Sequence, residues 1–221
     1  DEGAKTQHAL AARQFDEITT ETHAATPYAL SVSTHPAIRP IVWLAFPSLQ
    51  DYRYSPGVIE IPETWFHMLR VITANLNGIR SAERKGFFSW LPAQNADYIC
   101  VQELKAQATD MHDGLLAPDG YQGYFHYAEK KGYSGVGIYT RHTPDEVIVG
   151  FDVPEFDAEG RYIELITGNL SVVSLYLPSG SSGEERQAAK FRFMEHFYEH
   201  LRTLANKGRE VIVCADWNIA H

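Results

Sequence analysis

From Leu69 onward, short apolar runs rich in β-branched residues alternate with stretches of helical periodicity. Leu69–Ala74 (Leu-Arg-Val-Ile-Thr-Ala) is predicted to be a buried strand. Residues 83–95, with Phe87, Phe88 and Leu91 on one side, are predicted to form a helix. Ala96–Leu104, Tyr121–Ala128, Gly135–Arg141 and Arg161–Thr167 read as further strands. Leu170–Leu177 is another, and the dipeptide Gly168-Asn169 before it signals a two-residue hairpin turn. The clearest helix is Gln187–Leu204, where Phe191, Met194, Phe197, Tyr198, Leu201 and Leu204 recur at spacings that build one apolar stripe. Such a stripe packs on a sheet. Arg209–Ala215 is a last β-branched strand, and the alternation as a whole predicts a layered α/β fold.

Residues 1–67 read differently. Pro27, Pro36, Pro40, Pro47, Pro56 and Pro62 interrupt any long periodic element, and only residues 4–21, with Leu10, Phe15 and Ile18, suggest a short helix. The expected organisation is therefore an N-terminal extension over 1–67, poorly ordered, followed by a domain over 68–221 that starts at Met68, the first methionine. The chain opens on Asp1 rather than Met, so its natural N-terminus is expected to be missing, and the segment before Met68 is read as a fusion, a linker or mis-assigned upstream translation. Its first residues do not read as a secretory leader. No apolar run approaches the roughly 20 residues of a membrane-spanning helix. Cys100 and Cys214 lie inside apolar strand runs, without zinc-ligand spacing, and are expected to be buried small hydrophobes of a cytoplasmic protein.

Charge constrains the partner. The chain carries a net −9, and residues 68–221 still hold 20 acidic against 15 basic side chains. A nucleic-acid enzyme with this balance needs a local basic surface within an acidic whole, for which Arg80-Arg84-Lys85 and Lys130-Lys131 are candidates.

Three polar signals share a position, each at the carboxyl end of a predicted strand: Asn75-Leu76-Asn77, Gln102-Glu103 and Asp216-Trp217-Asn218. Catalytic groups of open α/β folds gather at that edge. A partly buried carboxylate needs a partner, and a hard divalent cation, which prefers carboxylate and amide oxygens, is a suitable one. Taken singly each signal is an ordinary turn or cap; together, with no His or Cys cluster competing, they indicate an oxygen-ligated Mg²⁺ site.

The segments Ala74-Asn75-Leu76-Asn77-Gly78-Ile79-Arg80, Gln102-Glu103-Leu104-Lys105, Gly132-Tyr133-Ser134-Gly135-Val136-Gly137, Gly160-Arg161, Tyr176-Leu177-Pro178-Ser179-Gly180 and Asp216-Trp217-Asn218-Ile219-Ala220-His221 occur in the order seen in one known class. They resemble the motifs of the exonuclease III and apurinic/apyrimidinic (AP) endonucleases, within the endonuclease/exonuclease/phosphatase enzymes. The resemblance covers residues 68–221, with Leu104 where many relatives have Thr.

What the resemblance implies is specific. The fold is expected to be the layered α/β sandwich of that superfamily, incomplete here because the family domain continues past the Asp-Trp-Asn motif to a second sheet, another metal-site aspartate and a closing Ser-Asp-His. The expected function is Mg²⁺-dependent hydrolysis of DNA phosphodiesters, with Mn²⁺ as a substitute, as a 3′→5′ exonuclease and AP endonuclease. Its partner is expected to be double-stranded DNA with abasic sites or 3′ ends, met by a monomer without a membrane. Glu103 and Asn75 are the implied metal-site residues. Tyr176, Asp216 and Asn218 are the implied catalytic residues: Asp216 positions or deprotonates the attacking water, Asn218 orients Asp216, and Tyr176 either donates to the phosphate or attacks as phenolate. Asn77, Tyr133, Arg161 and Ser179 are the implied substrate contacts. His221 is expected to be local sequence rather than the family's catalytic histidine, and the chain alone is expected to have little activity. The competing reading is a non-catalytic relative on this fold, of the catabolite-repression-control kind, against which the presence of Asn75, Glu103, Tyr176, Asp216 and Asn218 argues. Phosphoinositide phosphatases or sphingomyelinases of the same superfamily are a further alternative that the first and third motifs disfavour.

Overall fold

A computed structural model of the chain describes residues 29–32, 41–45, 69–180 and 183–218. The helix expected over 4–21 and His221 lie outside the described residues. The strands are β1 (Ala29–Val32), β2 (Ile41–Ala45), β3 (Leu69–Asn75), β4 (Tyr98–Gln102), β5 (Gln122–His126), β6 (Val136–Thr140), β7 (Glu146–Val149), β8 (Tyr162–Thr167), β9 (Leu170–Tyr176) and β10 (Glu210–Asp216). The helices are α1 (Ile79–Arg84), α2 (Phe87–Trp90), α3 (Asp113–Leu116), α4 (Pro154–Asp157) and α5 (Glu184–Ala205).

Two sheets stack face to face. The first has the order β1-β2-β3-β4-β6-β5, and the second β10-β9-β8-β7. The pairs β3–β4 and β9–β10 are parallel and the others antiparallel. An apolar layer joins the sheets, with Val71, Tyr98, Cys100, Val136 and Ile138 on one side and Ile163, Leu165, Val172 and Cys214 on the other. Burial pushes the Cys100 thiol well up. The outer face of the first sheet carries α1 and α2 through Ile72, Ala74, Ile99 and Val101 against Ile79, Ala82 and Phe87. On the second sheet, Tyr162, Val173 and Leu175 pack on Phe193, Phe197 and Leu204 of α5. The helix forms as expected, but of the predicted stripe only Phe197 and Leu204 are fully buried. The buried face runs through Ala189 and Phe193, which the stripe left out, while Phe191, Met194, Tyr198 and Leu201 are half-buried. No described helix is long and apolar enough to cross a membrane.

The departures have local causes. The single helix expected over 83–95 is divided: Gly86 takes a left-handed φ of 85°, and Pro92 confines residues 91–94 to a 3-10 turn. Strand β7 is not among the expected strands although Val147-Ile148-Val149 is a β-branched apolar run; it is a short edge strand with Val147 and Val149 exposed. Strands β1 and β2 come from the segment read as an extension, and β2 pairs with β3 in antiparallel register, Trp43 opposite Val71. The hairpin at Gly168-Asn169 forms as expected, with Thr167 opposite Leu170 and Gly168 at φ 55°.

Candidate active site

Strand alternation puts residues i and i+2 on one face. Toward the inter-sheet space the strands present Val71-Thr73-Asn75, Tyr98-Cys100-Gln102, Val172-Ser174-Tyr176 and Ile212-Cys214-Asp216. Each series begins apolar, and all four are polar at the carboxyl end. The ladders align those ends: Asn75 lies opposite Gln102, and Asp216 opposite Tyr176.

Glu103 joins them by leaving the strand. Continued alternation would send residue 103 toward the helices, but its φ is 55°, a left-handed turn. Asn77, Lys105 and Asn218 also have left-handed φ values, of 46°, 48° and 48°. For a residue without a polar local bond such backbone costs about 1–3 kcal/mol and persists only where surrounding contacts enforce it. Here Gly78 N donates to Glu103 O at 2.7 Å, and Lys105 N donates to Ser134 O at 2.8 Å. Leu104 N donates to Gly135 O at 3.1 Å, an approach that a side chain at Gly135 (φ 87°) would crowd against Leu104.

The resulting network crosses both sheets. Asn75 Nδ2 donates to Glu103 Oε1 at 2.8 Å and to Asp216 Oδ2 at 2.7 Å. Tyr176 Oη donates to Glu103 Oε1 at 2.8 Å, while Lys105 Nζ sits 2.6 Å from Glu103 Oε2. Asn77 closes the loop: its N–H donates to Asn75 Oδ1 at 2.8 Å, and its Oδ1 accepts from Lys105 Nζ at 2.6 Å. Asn218 N donates to Asp216 Oδ1 at 3.0 Å, and Asn218 Nδ2 donates to Leu177 O at 2.7 Å. Lys190 of α5 caps this turn by donating to Asn218 O at 2.7 Å.

The electrostatics follow from these contacts. Burial alone would raise the Glu103 carboxyl, but the hydrogen bonds from Lys105, Asn75 and Tyr176 and the Lys105 charge outweigh it and hold it below its ordinary value. Burial pushes the Tyr176 phenol well up, and its bond to the Glu103 carboxylate adds to the rise. Tyr176 therefore keeps its proton.

A second group adjoins the first. Arg161, 1% exposed, donates from Nε to Glu159 Oε2 at 2.6 Å, from NH2 to Tyr133 Oη at 2.9 Å and from NH1 to Tyr176 O at 3.0 Å. Its guanidinium also lies 5.0 Å from the centre of the Tyr176 ring. The resemblance implies a DNA contact for Arg161, whereas the structure gives its guanidinium three protein partners and almost no exposure. The turn delivering it needs glycine, because a Cβ on Gly160 (φ 63°) would lie 2.5 Å from Ala128 N. Tyr133 is ringed by cations, with Lys130 at 5.3 Å, Arg186 at 5.6 Å and Arg161 at 5.7 Å from its centre. Burial would raise the Glu159 carboxyl, but Arg161 and Arg186 together hold it low. Ser179 lies half-buried in the loop beyond β9 and, among the described residues, makes no hydrogen bond into the network. Of the basic runs noted in the sequence, Lys130 flanks Tyr133, while Arg80 pairs with Asp110 at 3.4 Å.

Lys105, Arg186 and Glu159 were not singled out as site residues in the sequence. Lys105 stands two residues after Glu103 within a quoted motif, a signal that could have found it. Arg186 and Glu159 carried none, since a charge at the start of a helix or in a turn is usually solvated.

The donors fit a hard cation. Glu103 and Asp216 offer carboxylate oxygen, with no thiol or imidazole beside them. Asn75 turns its nitrogen to both carboxylates, while its oxygen and that of Asn77 accept from Asn77 N–H and Lys105 Nζ, respectively. Among the described residues no three His, Cys, Asp or Glu side chains gather as a closed metal cage. Mg²⁺ is commonly held by one or two carboxylates plus substrate phosphate and water rather than by such a cage.

The chain is 38% identical over 154 residues to an exodeoxyribonuclease of Bacillus subtilis (strain 168), covering 69% of this chain and 60% of that protein. It is 27% identical over 164 residues to a DNA-(apurinic or apyrimidinic site) endonuclease of Dictyostelium discoideum, covering 74% of this chain and 45% of that protein. The chain thus spans 60% or less of the length of these relatives. An AP endonuclease structure from Archaeoglobus fulgidus superposes with a TM-score of 0.62 at 28% identity, covering 69% of this chain and 58% of that one. The fold is shared with a 3′-5′ exonuclease from Neisseria meningitidis, at a TM-score of 0.60 and 24% identity over 68% of this chain and 58% of that one. The model of the endonuclease/exonuclease/phosphatase family matches residues 72–221, more than half of the sequence, and the chain belongs to that family.

Proposed function

We propose that the protein is a metal-dependent DNA-repair phosphodiesterase that incises beside abasic sites and removes nucleotides from 3′ ends. The observation carrying this reading is the bridge from Asn75 to both Glu103 and Asp216, which gathers two carboxylates at one edge of the sandwich. The similarity to named exodeoxyribonucleases and AP endonucleases supports the substrate class.

In this reading Glu103, with Asn75 beside it, holds Mg²⁺ or, in its place, Mn²⁺. The bound cation supplies Lewis-acid stabilisation of charge developing on the phosphate oxygens. Asp216 accepts the proton of the attacking water through a carboxylate whose other contacts, Asn75 Nδ2 and Asn218 N–H, restrict its rotation. Tyr176 acts as a hydrogen-bond donor rather than as a phenolate, because burial and Glu103 keep its proton in place. Lys105 holds the second oxygen of Glu103 and leaves Asn77 oriented toward the same edge. Arg161 acts through others, fixing Tyr176 and Tyr133, while Lys130 and Arg186 around Tyr133 supply local positive charge for the DNA backbone. Asn77 and Ser179 complete the substrate contacts. Phosphate contacts fix register without reading sequence, as damage recognition at arbitrary sites requires, and an abasic sugar is cheap to extrude because no base pair holds it. The nuclease part begins near Met68, with β1 and β2 extending its first sheet.

The test is incision of a duplex bearing an abasic-site analogue, with the 221-residue chain and with a version extended at its C-terminus. Strong Mg²⁺-dependent incision by the extended form and little by the shorter one is expected. No incision by the extended form would overturn the assignment.

A further inference from the structure

Directly beneath the candidate site, the apolar space between the sheets gives way to a buried polar layer. Gln102, 1% exposed, donates from Nε2 to Ser174 Oγ across the interface at 3.1 Å. Its Oε1 accepts from Thr73 Oγ1 at 3.3 Å, and Ser174 Oγ donates onward to Val101 O at 3.1 Å. Ser174 is fully buried, and Thr73 nearly so. The layer is complete within itself, as a buried polar group must be if it is not to destabilise.

Its place in the sequence makes it informative. Thr73 stands two residues before Asn75 on the same face of β3, Ser174 two before Tyr176 on β9, and Gln102 immediately before Glu103. Below the layer the sheets meet mainly through the apolar contacts of Val71, Tyr98, Val172 and Ile163, which set their spacing but little of their register, because apolar contact has no direction. The Tyr98 hydroxyl, near Thr140 and Thr167, is at the opposite end of the strands from the site. Above it, Tyr176 and Asp216 of the second sheet must meet Glu103 and Asn75 of the first within hydrogen-bond distance. A directional bond between Gln102 and Ser174 is what can hold one sheet in step with the other at that edge.

We infer that Gln102 and Ser174 are positioning residues of the active site: their bond across the sheets sets the alignment of Tyr176 on Glu103 and of Asp216 on Asn75. This rests on the proposed phosphodiesterase reading for its kinetic consequence but not for its structural one. Removing the bond lets the strand ends slide by a fraction of an ångström, a displacement that costs turnover more than binding, since the loss falls on the geometry of the reacting groups.

The experiment uses the C-terminally extended protein carrying Ser174→Ala, Gln102→Leu, both changes, or Ser174→Thr, with Val172→Ala as a core control matched for lost thermal stability. Two readouts are taken at a temperature where every variant is folded. In Mg²⁺-dependent incision of the abasic duplex, each single change is expected to lower kcat about tenfold with KM nearly unchanged. The double change should add little, Ser174→Thr should restore most of the rate, and Val172→Ala should leave kcat near wild type. In the protein labelled with ¹³Cζ-tyrosine, Ser174→Ala should move the Tyr176 resonance, identified through Tyr176→Phe, toward its position in Glu103→Gln. A Tyr176 resonance unmoved by both single changes would overturn the inference, as would Val172→Ala lowering kcat as much at equal stability. If the wild type incises nothing while the resonance moves as described, the phosphodiesterase reading falls and the positioning role stands.

Discussion

The side-chain nitrogen of Asn75 lies 2.8 Å from Glu103 Oε1 and 2.7 Å from Asp216 Oδ2, so a single amide joins carboxylates carried by different sheets. Two anions drawn this close repel unless a donor or a cation stands between them. Replacing Asn75 with Ala removes the donor without adding charge. Expected is a loss of about 10- to 100-fold in kcat/KM for abasic-duplex incision, the range typical of groups that orient a metal ligand. Wild-type kinetics in Asn75→Ala would remove Asn75 from the site.

Lys105 and a divalent cation are like charges that approach the same carboxylate. With Lys105 Nζ 2.6 Å from Glu103 Oε2, a cation bound there must tolerate or displace it. Lys105→Met should therefore bind Mn²⁺ several times more tightly, measured by titration calorimetry without DNA. Weaker binding would mean that the ammonium orients Glu103 rather than competing for it.

Arg161 tests how far a buried cation holds the second group of residues together. Arg161→Ala removes a donor from Tyr133 and from the Tyr176 carbonyl and leaves Glu159 to Arg186 and Tyr133 alone. Loss of one member of a buried pair costs about 3–5 kcal/mol, here toward the lower end because Glu159 keeps those partners. Arg161→Lys should recover only part of this, since an ammonium cannot serve three partners in separate directions. Urea unfolding reads both; a lysine variant as stable as wild type would contradict the argument.

The acid side of the stability profile should depend on Glu159. Its folded carboxyl is held below the ordinary value, so its contribution is fully present above the unfolded-state value near 4.5 and disappears as pH falls through the lower folded value. Glu159→Gln is thus expected to be less stable than wild type at neutral pH, with the difference closing below about pH 4. Unfolding free energies at several pH values check this; a constant difference would show that another group governs the acid limb.

Tyr176 retains its proton well beyond neutrality, because burial and Glu103 both disfavour the phenolate. Incision should show no ionisation attributable to Tyr176 between about pH 7 and 10, the upper figure being the ordinary tyrosine value. Tyr176→Phe should lower kcat by about 10²- to 10³-fold, as removal of a transition-state donor does. An alkaline limb in the wild type that vanishes in Tyr176→Phe would restore the phenolate role.

Much of the fold was legible along the chain because burial writes itself into local pattern. The existence of helix α5, the runs of β3, β4, β8, β9 and β10, and the Gly168-Asn169 turn each follow from a period or a turn residue within a few positions. The buried face of α5, through Phe193, was instead decided by the sheet it packs on. Short apolar runs were not always read as strands: β2 (Ile-Val-Trp-Leu-Ala) and the edge strand β7 (Glu-Val-Ile-Val) were missed, because a run of three to five residues becomes a strand only through the neighbour it pairs with. The helix over 83–95 was read as continuous across Gly86, whose left-handed backbone divides it.

The same division runs through the site. Residue types and motif order, which are local, determined that Asn75, Glu103, Tyr176, Asp216 and Asn218 are the polar ends of apolar strands. Only the tertiary structure decided which of them touch: that Asn75 spans 141 residues to reach Asp216, that Lys105 faces Glu103, that Arg161 turns inward, and that Gln102 binds Ser174 across the sheets. Those contacts depend on how two separately patterned sheets stack, and the stacking arises from side chains far apart in sequence meeting at one interface, which no local periodicity encodes.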